Sequence, residues 1–178
     1  IKDVTIVTDY DPLNQVQSDL KQTSSDTVKV GDLQILYGKS GRSIRPSILR
    51  KSTYITPGRL FNERGVEQTY SSFAALRALR NVNIRFSEVE EGDTMKLNCT
   101  ILTSPAKLQG FGVDLEGTNS AGDFGFASSV NYQHRNIFKG SEVFSAKVRG
   151  AYEALSSSSD GSSYWELGAE SSVLFPRF

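Results

Sequence analysis

From Gly110 to Phe178 apolar and polar residues alternate in four strand-length segments separated by turn signals. Phe111, Val113 and Leu115 point one way; Gly112, Asp114 and Glu116 point the other. Phe124, Phe126, Val130 and Tyr132 oppose Gly125, Ala127, Ser129, Asn131 and Gln133. Phe144, Ala146, Val148, Gly150 and Tyr152 oppose Ser145, Lys147, Arg149 and Glu153. Trp165, Leu167, Ala169 and Val173 oppose Glu166, Gly168, Glu170 and Ser172. Strand side chains have a period of two, so each segment carries one apolar and one polar face. The expected turns are Asn119-Ser120-Ala121-Gly122, Asn136 to Ser141, and a Ser-rich loop from Ser156 to Ser163. Connections of this kind suit an up-and-down antiparallel meander. The segment lengths suit transmembrane barrel strands; an ordinary antiparallel sheet on a soluble core has the same periodicity.

The first hundred residues pattern differently. Val4 to Thr8 is β-branched and reads as a strand, ended by Asp9-Tyr10-Asp11-Pro12. Asp11 to Thr27 is a polar insert. Thr27 to Val30 and Leu33 to Tyr37 flank Gly31-Asp32 as a hairpin, and Gly38 to Arg45 is a basic connector. Pro46 suits the first turn of a short helix reaching about Thr53. Pro57-Gly58 is a turn. Asn62 is placed to cap a second helix, whose Val66, Tyr70, Phe73 and Leu76 recur at helical spacing, with Gly65 weakening its first turn. Val82 to Phe86 and Leu97 to Ile101 alternate as strands around a turn at Glu90-Glu91-Gly92-Asp93. One core of Val66, Tyr70, Phe73, Leu76, Val82, Ile84, Phe86, Leu97, Cys99 and Ile101 is expected, with both helices on one face of a sheet.

The wording of the C-terminal stretch resembles the opening barrel strands of the bacterial outer-membrane assembly-factor family, the BamA- and TamA-like surface antigens. The residues that carry the resemblance are Glu116-Gly117-Thr118, Gly125-Phe126, Tyr132, and Arg135-Asn136-Ile137-Phe138-Lys139-Gly140-Ser141-Glu142. The closing SSVLFPRF, Ser171 to Phe178, is similar to the family's fourth barrel strand. Upstream, RPSILRKSTYITPGRLFNERGVEQTYSSFAALRALRNVNIRF and KLNCTILTSPAK resemble the wording of a POTRA domain, the periplasmic module that precedes this barrel. The long insert 11–27 departs from the usual module.

The resemblance implies an α+β POTRA-like domain over 1–105 and, over 106–178, an antiparallel β-meander that starts a transmembrane β-barrel. Ser104-Pro105-Ala106-Lys107 is the junction, and no flexible linker separates the parts. In such a factor the module receives unfolded outer-membrane proteins or assembly-machinery proteins by strand addition. The matching gate strand is Gly110, Phe111, Gly112, Val113, Asp114, Leu115, Glu116 and Gly117, whose glycines contribute little packing at a seam. The lipid-facing set is Phe124, Phe126, Val130, Tyr132, Phe144, Val148, Tyr152, Trp165 and Leu167. The expected location is the outer membrane, with the POTRA part in the periplasm. Two other readings stand beside this one: a soluble binding module that offers a sheet edge, and the barrel anchor of a larger surface enzyme.

Composition adds bounds. The chain has 178 residues, 20 basic against 20 acidic, and 38% apolar residues. Zero net charge gives no argument for a nucleic-acid partner. Cys99 is the one cysteine and reads as a small buried hydrophobe. No apolar run reaches the length of a membrane helix and no signal peptide is present; the chain opens in mid-strand style at Ile1-Lys2-Asp3-Val4 and reads as a fragment of a longer secreted precursor.

Candidate chemistry is sparse. His134, the one histidine, lacks neighbours at metal-ligand spacing. Gly110-Phe111-Gly112 precedes no helix and is not a phosphate loop. Glu116, Glu166 and Glu170 share the polar sheet face with Lys147 and Arg149. No catalytic residue, cofactor or metal is expected. Arg42, Arg45, Arg50, Lys51 and Arg59 form a basic stretch that reads as a solvated face or as a contact with lipid headgroups or an acidic partner. In water, the isolated fragment is expected to self-associate through the apolar face of its C-terminal sheet.

Overall fold

The computed structural model describes residues 1–11, 26–38, 41–120, 123–154 and 163–176. The strands are β1 (Val4–Val7), β2 (Asp26–Val30), β3 (Leu33–Tyr37), β4 (Leu79–Glu91), β5 (Thr94–Pro105), β6 (Gln109–Ser120), β7 (Asp123–His134), β8 (Val143–Ala154) and β9 (Ser163–Leu174), and the helices are α1 (Pro46–Lys51) and α2 (Glu63–Ala75). They form a five-stranded sheet ordered β2-β3-β1-β5-β4 and a four-stranded sheet ordered β6-β7-β8-β9.

In the first sheet β1 runs parallel to both β3 and β5, while β2–β3 and β4–β5 are antiparallel hairpins. Both hairpins turn at a glycine with positive φ, Gly31 at 60° and Gly92 at 62°, a conformation that costs glycine nothing. β4 is longer than the Val82–Phe86 core of its pattern. Its pairing with β5 shifts register between Arg80 and Asn83, where Asn81 takes φ 55°. Asn tolerates that region better than most residues, and the bulge bends the strand.

Both helices lie on one face and close a core of Val4, Ile6, Leu33, Ile35, Tyr37, Ile44, Leu49, Phe73, Leu76, Cys99 and Ile101; Val66, Val82, Ile84 and Phe86 pack on it partly buried. Burial pushes the Cys99 thiol up to about 12. Two expected core members are placed elsewhere. Tyr70 is half exposed, and Leu97 is only half buried and outside the cluster. The inward face of α2 is Gly65, Thr69 and Phe73. Small residues win because the connector after α1 crosses close to the helix: Tyr54 N donates to Thr69 Oγ1 at 3.0 Å, and Thr69 Oγ1 donates to Gly65 O at 2.7 Å. Asn62 caps the helix as expected, its Oδ1 accepting from Arg64 N at 3.1 Å. Phe61, just before that cap, meets Phe86 edge-on at 5.2 Å.

The second sheet is a meander of four antiparallel strands in sequence order, as the alternation predicts. Each strand has twelve residues. β6 continues through Asn119 and Ser120, which are paired strand residues rather than turn residues; Ala121 and Gly122 lie outside the described residues. So do most of the insert, residues 12–25, and the Ser-rich loop up to residue 162, after which Ser163 opens β9.

Candidate functional site

Register aligns the apolar positions of the meander into rows that cross all its strands. Phe111, Tyr132 and Ala146 stand in one row, and Val113, Val130, Val148 and Ala169 in the next. Further along come Leu115 with Leu167, then Phe126 with Tyr152 and Trp165, and Phe124 near the far end. Phe144 and Val173 close the near end, where Tyr132 and Phe144 meet edge-on at 6.4 Å. Most of these side chains are open to solvent, with Phe111 72% exposed, Leu115 68%, Trp165 73% and Leu167 71%, while Phe144 and Ala146 are half-buried. A sheet normally buries such a face, and an open patch of this kind marks a contact surface.

The opposite face is polar and bonded across strands. Asp114 Oδ2 accepts from Ser129 Oγ at 3.1 Å and from Asn131 Nδ2 at 2.5 Å. Arg149 pairs with Glu116 at 3.3 Å. Lys147 and Glu170 are register partners without forming an ion pair. Glu166 lies opposite Ala151 on this face.

The expected gate residues Gly110 to Gly117 lie in β6, at the edge of the sheet; among the described residues β6 pairs only with β7, and β9 only with β8. A methyl group at Gly110 or Gly117 would meet nothing within 4 Å. These glycines therefore leave bare backbone along an open edge, which is a template for another strand.

A feature absent from the sequence reading joins the two sheets. The turn between β7 and β8, residues 135–142, is locked to the α+β unit. Asn136 Nδ2 donates to Ser43 O at 2.6 Å, and Asn136 Oδ1 accepts from Ser141 N at 2.9 Å. Arg45 N donates to Lys139 O at 2.8 Å, Ala78 N donates to Ser141 Oγ at 3.0 Å, and Arg135 N donates to Leu108 O at 2.7 Å. Glu142 folds back so that its Oε2 accepts from Phe138 N and Gly140 N. Asn136, Ser141 and Glu142 are all buried, and Lys139 and Ser141 hold positive φ of 60° and 65°. Non-glycine residues stay there only where their surroundings over-determine the backbone. On the other side of the contact, buried Tyr37 donates its hydroxyl to Ile44 O at 2.8 Å and so pins the loop that carries Ser43 and Arg45. Burial pushes that phenol up to about 12.

His134 ends the apolar rows, and its Nδ1 accepts from Asn136 N at 3.3 Å. The basic stretch is divided among separate places. Arg42 pairs with Asp26 at 2.7 Å, Arg50 Nη1 donates to Val30 O at 3.2 Å, and Arg45 sits at the junction. Among the described residues no cluster of His, Cys, Asp or Glu could hold a metal ion, and no helix is long and apolar enough to cross a membrane, which leaves strands out of account.

No family model matches the chain, and the search of curated proteins finds no match. Among solved structures, the chain is similar to BamA from Haemophilus ducreyi lacking POTRA domains 1–3, at 12% identity and a TM-score of 0.39. The match covers 83% of this chain and 36% of that one, so the chain spans about a third of its length.

Proposed function

We propose that residues 1–105 form a POTRA-like periplasmic module and residues 106–178 the first strands of an outer-membrane β-barrel, within a factor that assembles or inserts outer-membrane proteins. The observation that carries this reading is the open apolar face of the meander. From Phe124 to Tyr132 β7 rises roughly 26 Å. At a barrel tilt of about 40° that stands roughly 20 Å along the membrane normal, near the roughly 25 Å apolar band of outer-membrane barrels. In a barrel closed by further strands, a bilayer covers such a face and the bonded polar face lines the lumen. The glycine-bearing edge of β6 is the strand that offers its backbone to an incoming substrate strand. Unfolded outer-membrane proteins and the assembly machinery are the partners this reading assigns.

Trp165 is the one tryptophan and lies on the apolar face, so it reports on that face directly. When the detergent-solubilised chain is diluted into phosphatidylcholine vesicles, Trp165 emission is expected to shift to the blue and to be quenched by brominated acyl chains. Emission unchanged from water, with the strand circular-dichroism signal intact, overturns the membrane reading and leaves a soluble sheet.

A further inference from the structure

Where the apolar rows end at the junction, the fold gathers cations from separate parts of the chain. Arg135 and Lys139 belong to the β7–β8 turn. The bond from Arg45 N to Lys139 O brings in Arg45 from the loop before α1, and the bond from Ala78 N to Ser141 Oγ brings in Arg77 from the exit of α2. The bond from Arg135 N to Leu108 O brings in Lys107 from the connector. All five side chains are exposed, and among the described residues none forms an ion pair.

Two of the described acids at this end are already engaged elsewhere. Glu142 is buried on its own turn, and Asp26 is committed to Arg42. Among the described residues, Asp9, lying against Gly38, and Asp11 also stand at this end. Between Arg135 and Lys139 the turn also exposes Ile137 and Phe138, at 39% and 51%. An ordinary solvated face has no use for two apolar side chains at the tip of a cationic turn. Apolar and aromatic anchors bordered by Lys and Arg at the edge of an apolar band are what a membrane interface favours.

We propose that this rim, Arg45, Arg77, Lys107, Arg135 and Lys139 around Ile137 and Phe138, binds the phosphate groups of anionic phospholipids in the leaflet facing the α+β unit. The inference rests on the membrane reading above and adds a lipid class to it. The rim cations would hold the rigid junction at headgroup level, so that lipid charge sets how deep the meander sits and how the α+β unit stands against the surface.

The test compares vesicles of phosphatidylcholine alone with vesicles containing equal phosphatidylglycerol, using flotation of the full chain diluted from detergent. Each basic residue near an anionic surface is worth roughly fivefold in partitioning, so a preference for anionic vesicles of at least about tenfold is expected at about 50 mM salt. Most of it should vanish at about 500 mM salt, where charges are screened within a few ångströms. The variant carrying Arg45→Gln, Arg77→Gln, Lys107→Gln and Lys139→Asn should lose the preference while keeping neutral-vesicle binding and the Trp165 blue shift. Asn is chosen at Lys139 because it tolerates positive φ. A companion variant with Arg45→Lys, Arg77→Lys and Lys107→Arg keeps the charge and should keep the preference.

Equal partitioning of the unaltered chain into both vesicles overturns the proposal and leaves the membrane reading standing. A preference that survives neutralisation of the four side chains also overturns it. Binding to neither vesicle, with no Trp165 shift, removes the membrane reading and the proposal together. If inorganic phosphate erases the preference where chloride of equal ionic strength does not, the rim is a site for free phosphate, and the lipid assignment falls.

Discussion

The α+β unit and the meander use the same period of two and end in opposite states. In β5, Cys99 and Ile101 alternate with Asn98 and Thr100 and are 1% and 0% exposed, because α1 and α2 cover that face. In β6, Phe111, Val113 and Leu115 alternate just as cleanly and remain open. Alternation therefore specifies which residues share a face, while a second element or a solvent decides whether that face is buried. The α+β unit brings its own cover. Among the described residues the meander has no such cover.

The largest expected difference between the regions is the response to losing a phenyl ring. Phe73, on the inward face of α2, is fully buried, so Phe73→Ala should cost the folded α+β unit about 3–5 kcal/mol in urea unfolding, from lost transfer energy plus the cavity left behind. Phe126→Ala on the open face should cost well under about 1 kcal/mol in detergent-free buffer at a concentration low enough to keep the chain monomeric. Comparable losses at the two sites would mean that the meander face is covered after all.

Next in size is the meander's need for cover. In water the chain is expected to self-associate through this face at micromolar concentration. Val113→Lys and Phe126→Lys should each weaken that association by at least about 1–3 kcal/mol, since each places an uncompensated charge in an apolar contact. Sedimentation velocity reads the outcome. A monomer for the unaltered chain with its sheet still folded, or an oligomer indifferent to both charges, breaks the comparison.

The contact between the regions gives the third prediction. Asn136→Ala removes the donor to Ser43 O and the acceptor for Ser141 N inside a buried turn. Leaving those backbone groups unpaired should cost about 1–3 kcal/mol. Spin labels on α2 and β8 should show a broader distance distribution in this variant, because the turn no longer fixes the junction. An unchanged distribution would mean that the remaining bonds from Arg45, Ala78 and Arg135 hold the angle without Asn136.

Most of the elements were legible in the sequence because each rests on a local signal. Strand faces follow from alternation, the α2 start from Asn62, and the hairpin turns from Gly31-Asp32 and Gly92-Asp93. What stayed hidden depended on partners far along the chain. Tyr70 looks like the natural inward residue of α2, and only the crossing of Tyr54 turns Gly65 and Thr69 inward instead. Asn136 and Ser141 read as ordinary turn residues; their burial depends on Ser43 and Ala78, 93 and 63 positions away. The expected gate strand is half legible. Its place at the edge follows from strand order, whereas its role depends on the strand that would close against it.

Two glycines mark the smallest difference between the regions and give the last prediction. Gly65 lies inside α2, where glycine costs roughly 0.5–1 kcal/mol against alanine because the unfolded chain has more freedom to lose. Its burial invites the idea that the helix needs glycine to approach the Tyr54 backbone. The geometry argues otherwise, since a methyl group there would stand 3.5 Å from Tyr54 O, an ordinary contact. Gly65→Ala should therefore stabilise the α+β unit by about 0.5–1 kcal/mol. Gly125 on the polar face of β7 is the counterpart. A methyl group at that position would collide with Thr118 Oγ1 across the strand pair, so Gly125→Ala should give no such gain. Urea midpoints for both variants, at unchanged slope, decide the matter. A loss at Gly65 would show that the connector presses on α2 more tightly than a methyl allows, and that the cover of the core is set by backbone approach rather than by the side chains of the helix.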